Sequence, residues 1–408
     1  MQKRFTPDAG GVFPEWEEIE FGKLFQRRSE KNGEEFGVDK TISVATMHFK
    51  PEGNKADEKS LPKYKVMRTG DIAFEGHINK HFKHGRFVLN DIGDGIISPI
   101  FEVLQPVSEL SKEVPGFWKY YINYEPVMGK ILAKCANTGI MMNRLSIKDF
   151  YKQKIKVPCI EEQRKIAAAL AAYDEMIAVK TAKLETWQEC KKRMVKEIFG
   201  RTKRFKDDDG KEFPEWEEKT LGKVCESISD GSHFSPKTIK DGKAMLSVKD
   251  MKDCSFDLND CKKISEEDFN TLVKQGCKPK PGDVLLSKDG SVFRYIFKVD
   301  KEIDAVLLSS IAIIRPDAET ANADYLVQCL KNTYLTNGFL RKQTTGTAIK
   351  RVVLKNLKTF KIPLPCMEEQ QKIGSFLAEI DKEIQIQKEF IRTYAEGKKR
   401  MMRELMEG

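Results

Sequence analysis

The chain has 408 residues, 40% of them hydrophobic, and its 71 Lys and Arg outnumber its 62 Asp and Glu to give a net charge of +9. This length predicts two or more domains rather than one core, and the basic excess favours an anionic partner such as nucleic acid. The nine cysteines have no CxxC spacing, which argues against a zinc site and indicates reduced thiols in the cytoplasm. No apolar run is long enough to span a membrane.

Residues 1–157 are predicted to form a mixed α+β domain. Short apolar or alternating runs at 37–50, 64–75 and 86–104 indicate strands, and 117–132 is predicted to be helical. Such a mixture of strands and helices is typical of a two-layer domain.

Residues 79–86 (NKHFKHGR) concentrate hydrogen-bond donors in one loop-like stretch. The cations suit DNA phosphates and the Asn, Arg and His side chains suit base edges, although an ordinary solvated loop is an equal alternative. Three histidines have helical spacing here, but no acidic residue or cysteine nearby completes a metal shell, so no metal site is predicted. The candidate DNA-contacting residues are Asn79, Lys80, His81, Lys83, His84 and Arg86.

A long helix is predicted over 158–200. Pro158 marks its start and Gly200 its end, and heptad positions recur at alternating spacings of four and three, with polar exceptions at Lys180 and Lys191. Its predicted pairing residues are Ile166, Leu170, Tyr173, Ile177, Leu184, Trp187, Met194 and Ile198.

Residues 201–364 are predicted to form a second mixed α+β domain. Strands are expected at 284–287 and 305–315 and a helix at 325–340, while 229–237 is a polar, turn-rich loop. The hydroxyls and histidine of that loop suit DNA contacts, with a structural turn as the alternative. Candidate DNA-contacting residues are Ser232, His233, Ser235 and Lys237 in the loop, and Lys288 and Arg294 around a predicted hairpin tip.

A second long helix is predicted over 365–408. Its polar exceptions, Gln387 and Lys398, occupy the same heptad slots as those of the first helix, and polar residues at such slots usually fix register and partner. Each helix would be about 60 Å long. We expect the two helices to pair antiparallel; the alternative is that each packs only on its own domain. The pairing residues expected here are Ile373, Leu377, Ile380, Ile384, Ile391, Tyr394, Met401 and Leu405.

The chain also repeats itself with a period near 200 residues. The peptides that recur are KRF at 3–5 and 203–205, FPEWEE at 13–18 and 213–218, and PCIEEQRKI at 158–166, which returns as PCMEEQQKI at 365–373. The middle of each half diverges, which predicts one scaffold holding two different readers. The repeat also predicts that the two termini lie close together.

A further shared feature lies just before each helix, where Thr138 and Gly139 precede Arg144 in the first half. In the second half 344–347 (TTGT) precede Lys350 and Arg351. These residues suit a phosphate clamp, or a structural turn that docks the helix. Arg144, Lys350 and Arg351 complete the candidate DNA-contacting set.

Signature motifs of enzymes are absent from the sequence. There is no Walker A sequence, no GxGxxG after a strand, no Asn-Pro-Pro-aromatic motif, no HExxH and no GxSxG. We therefore expect no catalytic residues in this chain.

The repeated PCIEEQRKI block, the FPEWEE blocks with their following Gly-Lys, DGSHFSPK at 230–237 and PGDVL at 281–285 resemble the specificity (S) subunit of type I restriction–modification enzymes. The first half lacks the DGSH version. The resemblance implies an α+β fold in which two mixed α/β target recognition domains are separated by two long antiparallel coiled-coil helices, with a pseudo-two-fold internal repeat.

Function, partners and cofactors follow from the same resemblance. Each recognition domain would read one half of a bipartite site in double-stranded DNA. The helices would dock two methyltransferase (M) subunits, and restriction/translocase (R) subunits would complete the complex. S-adenosylmethionine, ATP and magnesium would bind the partner subunits and no cofactor this chain, in a bacterial or archaeal cytoplasm. Two other functions stay open: a coiled-coil interaction adaptor without DNA readout, and a nuclease or methyltransferase with unrecognised motifs.

Overall fold

The computed structural model describes residues 4–50, 58–139, 142–343 and 351–406. Its contacts divide the chain into two compact units: unit 1 comprises Met1–Thr181 and Lys388–Gly408, and unit 2 comprises Ala182–Gln387. Each long helix contributes one segment to each unit. The four-segment division at 157, 200 and 364 stays a prediction, since the units are defined by contacts that cut both helices.

The secondary-structure elements of unit 1, in chain order, are β1 (Glu17–Glu20), α1 (Phe21–Leu24), β2 (Phe25–Arg27), β3 (Ile42–Ser43), β4 (His48–Phe49), β5 (Lys65–Met67), β6 (Ile72–Glu75), β7 (Arg86–Leu89), β8 (Gly95–Ile97), β9 (Glu102–Pro106), α2 (Glu109–Lys112), α3 (Pro115–Tyr121), α4 (Glu125–Cys135), β10 (Ala136–Asn137), β11 (Arg144–Leu145), α5 (Ile147–Tyr151), β12 (Lys154–Val157) and the start of α6 (Ile160–Phe199). Short 3-10 turns lie at Val38–Lys40 and Glu58–Lys63.

Unit 2 contains β13 (Glu217–Thr220), β14 (Cys225–Asp230), β15 (Lys243–Leu246), β16 (Lys262–Ile264), α7 (Glu266–Lys274), β17 (Val284–Ser287), β18 (Ile296–Lys298), β19 (Ala305–Leu307), β20 (Ile311–Pro316), α8 (Ala323–Lys331), α9 (Thr333–Gln343), α10 (Leu354–Leu357), β21 (Lys361–Leu364) and the start of α11 (Met367–Met406). Its 3-10 turns lie at Leu221–Lys223 and Val248–Asp250.

Both units are built on the same antiparallel sheet. Its strand order is β2-β9-β6-β7 in unit 1 and β14-β20-β17-β18 in unit 2. The strand that leads into each long helix pairs antiparallel with the strand after the FPEWEE peptide, as β1 with β12 and β13 with β21. The predicted α+β class with two long helices and an internal repeat is confirmed.

The repeated peptides meet at the start of each long helix. In unit 1 the Glu162 carboxylate is almost fully buried and accepts hydrogen bonds from the Arg4 guanidinium at 2.8 Å and the Trp16 indole at 3.1 Å. In unit 2 Glu369 accepts the equivalent bonds from Arg204 at 2.9 Å and Trp216 at 2.7 Å. A buried charge is tolerated only when it is paired and hydrogen-bonded, so Arg, Trp and Glu recur as a set.

In unit 1 the two helix segments run antiparallel. The Lys180 ammonium lies 4.5 Å from the centre of the Phe390 ring, and the Lys398 ammonium lies 2.6 Å from Oδ1 of Asp174, so rising numbers in α6 meet falling numbers in α11. The other oxygen of Asp174 accepts a hydrogen bond from the Tyr120 hydroxyl at 2.7 Å. The polar heptad position at Lys398 is therefore satisfied by an ion pair between the helices.

Unit 2 repeats this arrangement with the helices exchanged. The Lys191 ammonium of α6 pairs with Oδ1 of Asp381 of α11, and Oδ2 of that carboxylate accepts from Gln328 at 3.1 Å and Lys331 at 3.3 Å. All sixteen residues predicted for the helix-pair interface are buried or half-buried. Both predicted apolar stripes are thus covered by protein.

Phe5 and Met406 belong to the same hydrophobic cluster of unit 1, together with Trp16, Ile166 and Leu170. The two ends of the described chain therefore meet in one core, as the repeat predicts. Within the described residues, no helix combines the length and apolar character needed to cross a membrane.

Candidate nucleic-acid interface

In unit 1, the loop between β6 and β7 holds most of the residues predicted to contact DNA. Lys80, His81 and Lys83 are exposed, as a phosphate or base contact requires. Asn79 is also exposed, but its Oδ1 accepts hydrogen bonds from the backbone N–H groups of His81 at 2.8 Å and Phe82 at 3.0 Å. These bonds fix the loop backbone, so Asn79 shapes the loop that carries the cations.

Arg86 binds within the protein, and this corrects its assignment as a free DNA contact. Its Nε donates to Oε2 of the buried Glu75 at 2.9 Å, and its guanidinium lies 5.3 Å from the centre of the Phe82 ring. His77 shares the same carboxylate through Nδ1 at 2.9 Å, and His84 is half-buried. Arg86 therefore ties the loop to the sheet, because a buried glutamate requires a cation.

The structure brings the β6–β7 loop together with Arg144, although the sequence places them far apart. The backbone N–H of Asn143 donates to the carbonyl of Gly76 at 2.9 Å, and a Cβ on Gly76 would lie only 2.0 Å from the Asn143 carbonyl oxygen. A cleft of about 910 Å³ opens beside this contact, and Arg144 is exposed at it. It is lined by Phe74, His77, Ile100, Glu102, Thr138, Gly139, Met142, Asn143, Arg144 and Leu145.

In unit 2, Ser232 is buried, which corrects its assignment as a DNA contact. Its Oγ donates to the Phe234 carbonyl at 2.7 Å and accepts from the Phe234 N–H at 3.1 Å. Its own backbone N–H donates to the Leu307 carbonyl at 2.7 Å. The hydroxyl is fully used in a local turn, which is the structural alternative that the sequence left open.

The other residues of this loop are exposed. His233 lies with Nε2 at 3.4 Å from Oδ2 of Asp230. The Ser235 hydroxyl accepts from the Lys262 ammonium at 2.6 Å, and Lys237 is exposed beside them. The loop thus presents hydrogen-bonding groups in a basic setting, which suits a polyanion.

Lys288 is buried, and this corrects its placement at an exposed hairpin tip. Its ammonium lies 3.2 Å from Oδ2 of Asp230 and 3.6 Å from Oδ2 of Asp289. Asp289 in turn lies 3.2 Å from Nε of Arg351, whose side chain is half exposed. The backbone carbonyl of Lys288 accepts from Val352 at 2.9 Å. The four side chains form one ionic cluster that joins the ends of β14 and β17 to the segment before α10.

Arg294 and Lys350 complete the predicted set. Arg294 is exposed, with its guanidinium 5.4 Å from the centre of the Tyr295 ring. Lys350 lies outside the described residues, as do Thr344, Thr345 and Thr347.

The repeated Gly-Asp before the third sheet strand also has a structural role. Asp71 and Asp283 are both buried. Asp71 accepts from Nε of Arg28 at 2.6 Å, and Asp283 accepts from Nε of Arg315 at 2.7 Å. Burial raises the pKa of Asp71 although Arg28 opposes that change. The motif anchors the sheet and is not available to DNA.

Sequence reasoning missed two residues of these surfaces. Asn143 lines the cleft of unit 1, and its Oδ1 is buried without a hydrogen-bond partner among the described residues. Phe234 is 66% exposed at the centre of the unit 2 loop. No pattern signals either residue, because a lone phenylalanine in a polar loop is usually assigned to the core.

The described residues contain no group of three His, Cys, Asp or Glu that would hold a metal ion. The exposed predicted residues therefore bring cations, hydroxyls, imidazoles and one aromatic ring to the surface. These groups suit binding to phosphates and base edges.

A family model described as type I restriction modification DNA specificity domain matches residues 103–186 and 214–393. The chain is 25% identical over 324 residues to the type I restriction enzyme MjaVIII specificity subunit of Methanocaldococcus jannaschii, covering 77% of this chain and 74% of that protein. It is 27% identical over 270 residues to the type I restriction enzyme EcoBI specificity subunit of Escherichia coli, covering 61% and 56%.

A solved structure, the type I restriction-modification system S subunit from M. genitalium, superposes with a TM-score of 0.65 over 98% of each chain. Its sequence identity is 14%, so this likeness concerns the fold.

Proposed function

The chain belongs to the family of type I restriction modification DNA specificity proteins, and from this premise we propose that its two units read the two halves of one bipartite DNA site. As a specificity subunit it would select the sequence on which partner subunits act. We further propose that it has no catalytic centre of its own.

One observation carries the proposal: the same scaffold is built twice and supports two different polar surfaces. The sheet order and the buried Arg–Trp–Glu set are common to both units. The surfaces differ: unit 1 has an open cleft beside Arg144, and unit 2 has a loop with His233 and Lys237. Two readers with different chemistry suit a site whose halves differ in sequence.

Binding would combine phosphate and base contacts. The exposed lysines are suited to phosphates, which would make the affinity fall steeply with salt. For two domains on one face of a duplex, half-sites about one helical turn apart, near 34 Å, are the natural spacing. The paired helices would hold that spacing while the DNA between the half-sites goes unread.

Partners supply the chemistry in this proposal. Two methyltransferase subunits would dock on the helices and bind S-adenosylmethionine, and restriction subunits would use ATP and magnesium. The MjaVIII relative is the specificity subunit of a type I restriction enzyme, which supports this assignment.

The test is genome-wide methylation mapping in cells that express this chain with its partner methyltransferase. We expect a bipartite motif with an unread spacer, and we expect a replacement of residues 20–150 by those of a relative to change only one half of it. Modification by the purified chain alone would favour the enzyme alternative. Failure to bind DNA with the partner present would favour the adaptor alternative.

A further inference from the structure

Phe234 is a large apolar side chain that folding leaves in water. It is 66% exposed, whereas Ser232 and Pro236 on either side of it are buried. The loop is thus anchored at both ends and projects the ring from its middle. An exposed aromatic residue is costly to hydrate, so its position on a fixed loop indicates a contact that forms on binding.

The backbone around the ring is held in place. The Ser232 hydroxyl brackets Phe234, donating to its carbonyl at 2.7 Å and accepting from its N–H at 3.1 Å. The Ser232 carbonyl accepts from Ser309 at 2.9 Å. Gly231 lies so close to the end of β19 that a Cβ there would lie 2.1 Å from the Leu307 carbonyl oxygen. Little conformational entropy is therefore lost when the ring meets a partner.

Basic groups surround the ring. Lys237 and Lys240 are exposed, and Lys262 is fixed to the loop by hydrogen bonds to the Ser235 hydroxyl at 2.6 Å and to the Pro236 carbonyl. The nearby Asp230 is neutralised by the buried Lys288. A single apolar ring among cations is unlike the broad apolar patch of a protein interface, and it matches a polyanion whose bases offer flat apolar faces.

We propose that Phe234 is a wedge that enters the base stack of the half-site read by unit 2. This inference rests on the proposed function. The lysines would hold the flanking phosphates, and the ring would stack on one base of a partly opened step, as apolar wedges do in proteins that kink DNA. Phe234 is then a specificity-determining residue, because steps differ in the energy needed to unstack them.

The test uses the full chain with its partner methyltransferase on a duplex carrying the motif obtained by methylation mapping. 2-Aminopurine is placed in turn at each position of the unit 2 half-site, since its fluorescence rises when stacking is lost. We compare the wild type with Phe234→Ala, Phe234→Leu and the matched control Tyr334→Ala, which removes an aromatic ring that is 65% exposed in the same unit. Because both rings are exposed, thermal unfolding should be unchanged in all three variants.

We expect a fluorescence rise at one step in the wild type and in Tyr334→Ala, and none in Phe234→Ala. Methylation by Phe234→Ala should fall about tenfold, in line with the loss of one base–aromatic stack, and Phe234→Leu should be intermediate. A methylation loss without any step-specific fluorescence signal in the wild type would overturn the wedge, as would wild-type behaviour of Phe234→Ala. If the wild type yields no bipartite motif, the proposed function itself fails, and that result is distinct from a failure of the wedge.

Discussion

Unit 1 and unit 2 share their buried charges and differ in how the end of the third sheet strand is completed. Both bury a glutamate against Arg and Trp at the helix start, and both pair an aspartate with a lysine across the long helices. Beyond β6, however, Gly76 meets Asn143 beside an open cleft. Beyond β17, Lys288 fills the corresponding position with a buried charge.

This difference indicates which charges serve the scaffold and which serve a reader. A buried charge needs every partner in place, so a set that recurs in both units belongs to the common frame. A charge found in only one unit is free to differ in role. Lys288 combines both properties, since it is fully buried yet stabilises a loop that exists only in unit 2.

The largest effect is expected from the shared glutamates. Glu369→Leu leaves the guanidinium of Arg204 and the indole N–H of Trp216 without their acceptor, and we expect a loss of about 3–5 kcal/mol of unfolding free energy. Glu162→Leu should cost a similar amount in unit 1. Urea unfolding measures the loss, and hydrogen exchange shows in which unit it occurs.

The control is Glu368→Leu, which removes an exposed carboxylate one residue earlier and should cost less than about 0.5 kcal/mol. A loss of under 1 kcal/mol for Glu369→Leu would contradict the view that these residues are the common frame.

An intermediate effect is expected from Lys288→Met, which has no counterpart in unit 1. The change keeps the chain length but leaves the carboxylates of Asp230 and Asp289 without their buried cation, so we expect a loss of about 3 kcal/mol. Hydrogen exchange should rise in β14 and β17 and stay unchanged in unit 1. Lys301→Met, at an exposed lysine, is the matched control. Equal exchange in both units would mean that the cluster does not serve the unit 2 loop.

Much of the fold follows from the sequence because it rests on periodicity. The heptads of α6 and α11 predict both helices and their covered stripes, and the helices begin and end within a few residues of the predicted bounds. The recurring Trp16 and Trp216 blocks identify the repeat, although the hydrogen bonds to Glu162 and Glu369 come from residues remote in sequence.

The reading surfaces follow much less well, because they depend on contacts between distant segments. Lys288 after a strand is typical of an exposed turn, and only the fold brings Asp230 to it. Ser232 has the chemistry of a DNA contact but uses its hydroxyl within the loop. Phe234 has the composition of a core residue, and its exposure is set by the buried residues on either side.

The smallest effect is expected from the ion pairs between the long helices, and it separates the two units by burial. In unit 2 the carboxylate of Asp381 meets two lysines, whereas in unit 1 Asp174 meets Lys398 and a tyrosine hydroxyl. A double-mutant cycle with Asp381→Asn and Lys191→Met should give a coupling of about 1–2 kcal/mol at neutral pH. The matched cycle with Asp174→Asn and Lys398→Met should give about half of that, because Asp174 is more exposed to solvent.

The pH dependence of the same cycle tests its electrostatic origin. Burial works against the charged form of Asp381, but Lys331 and Lys191 outweigh it and hold its pKa below the usual value. A carboxyl group whose pKa is lower in the folded than in the unfolded chain stabilises the fold above the unfolded pKa of about 3.9, and this contribution is lost as the pH falls through the folded pKa. The coupling in unit 2 should therefore be constant from neutral pH down to about 4 and disappear below it. A coupling that persists in acid would mean that the four side chains interact by packing, and the ion pair would then have no part in setting the register of the helices.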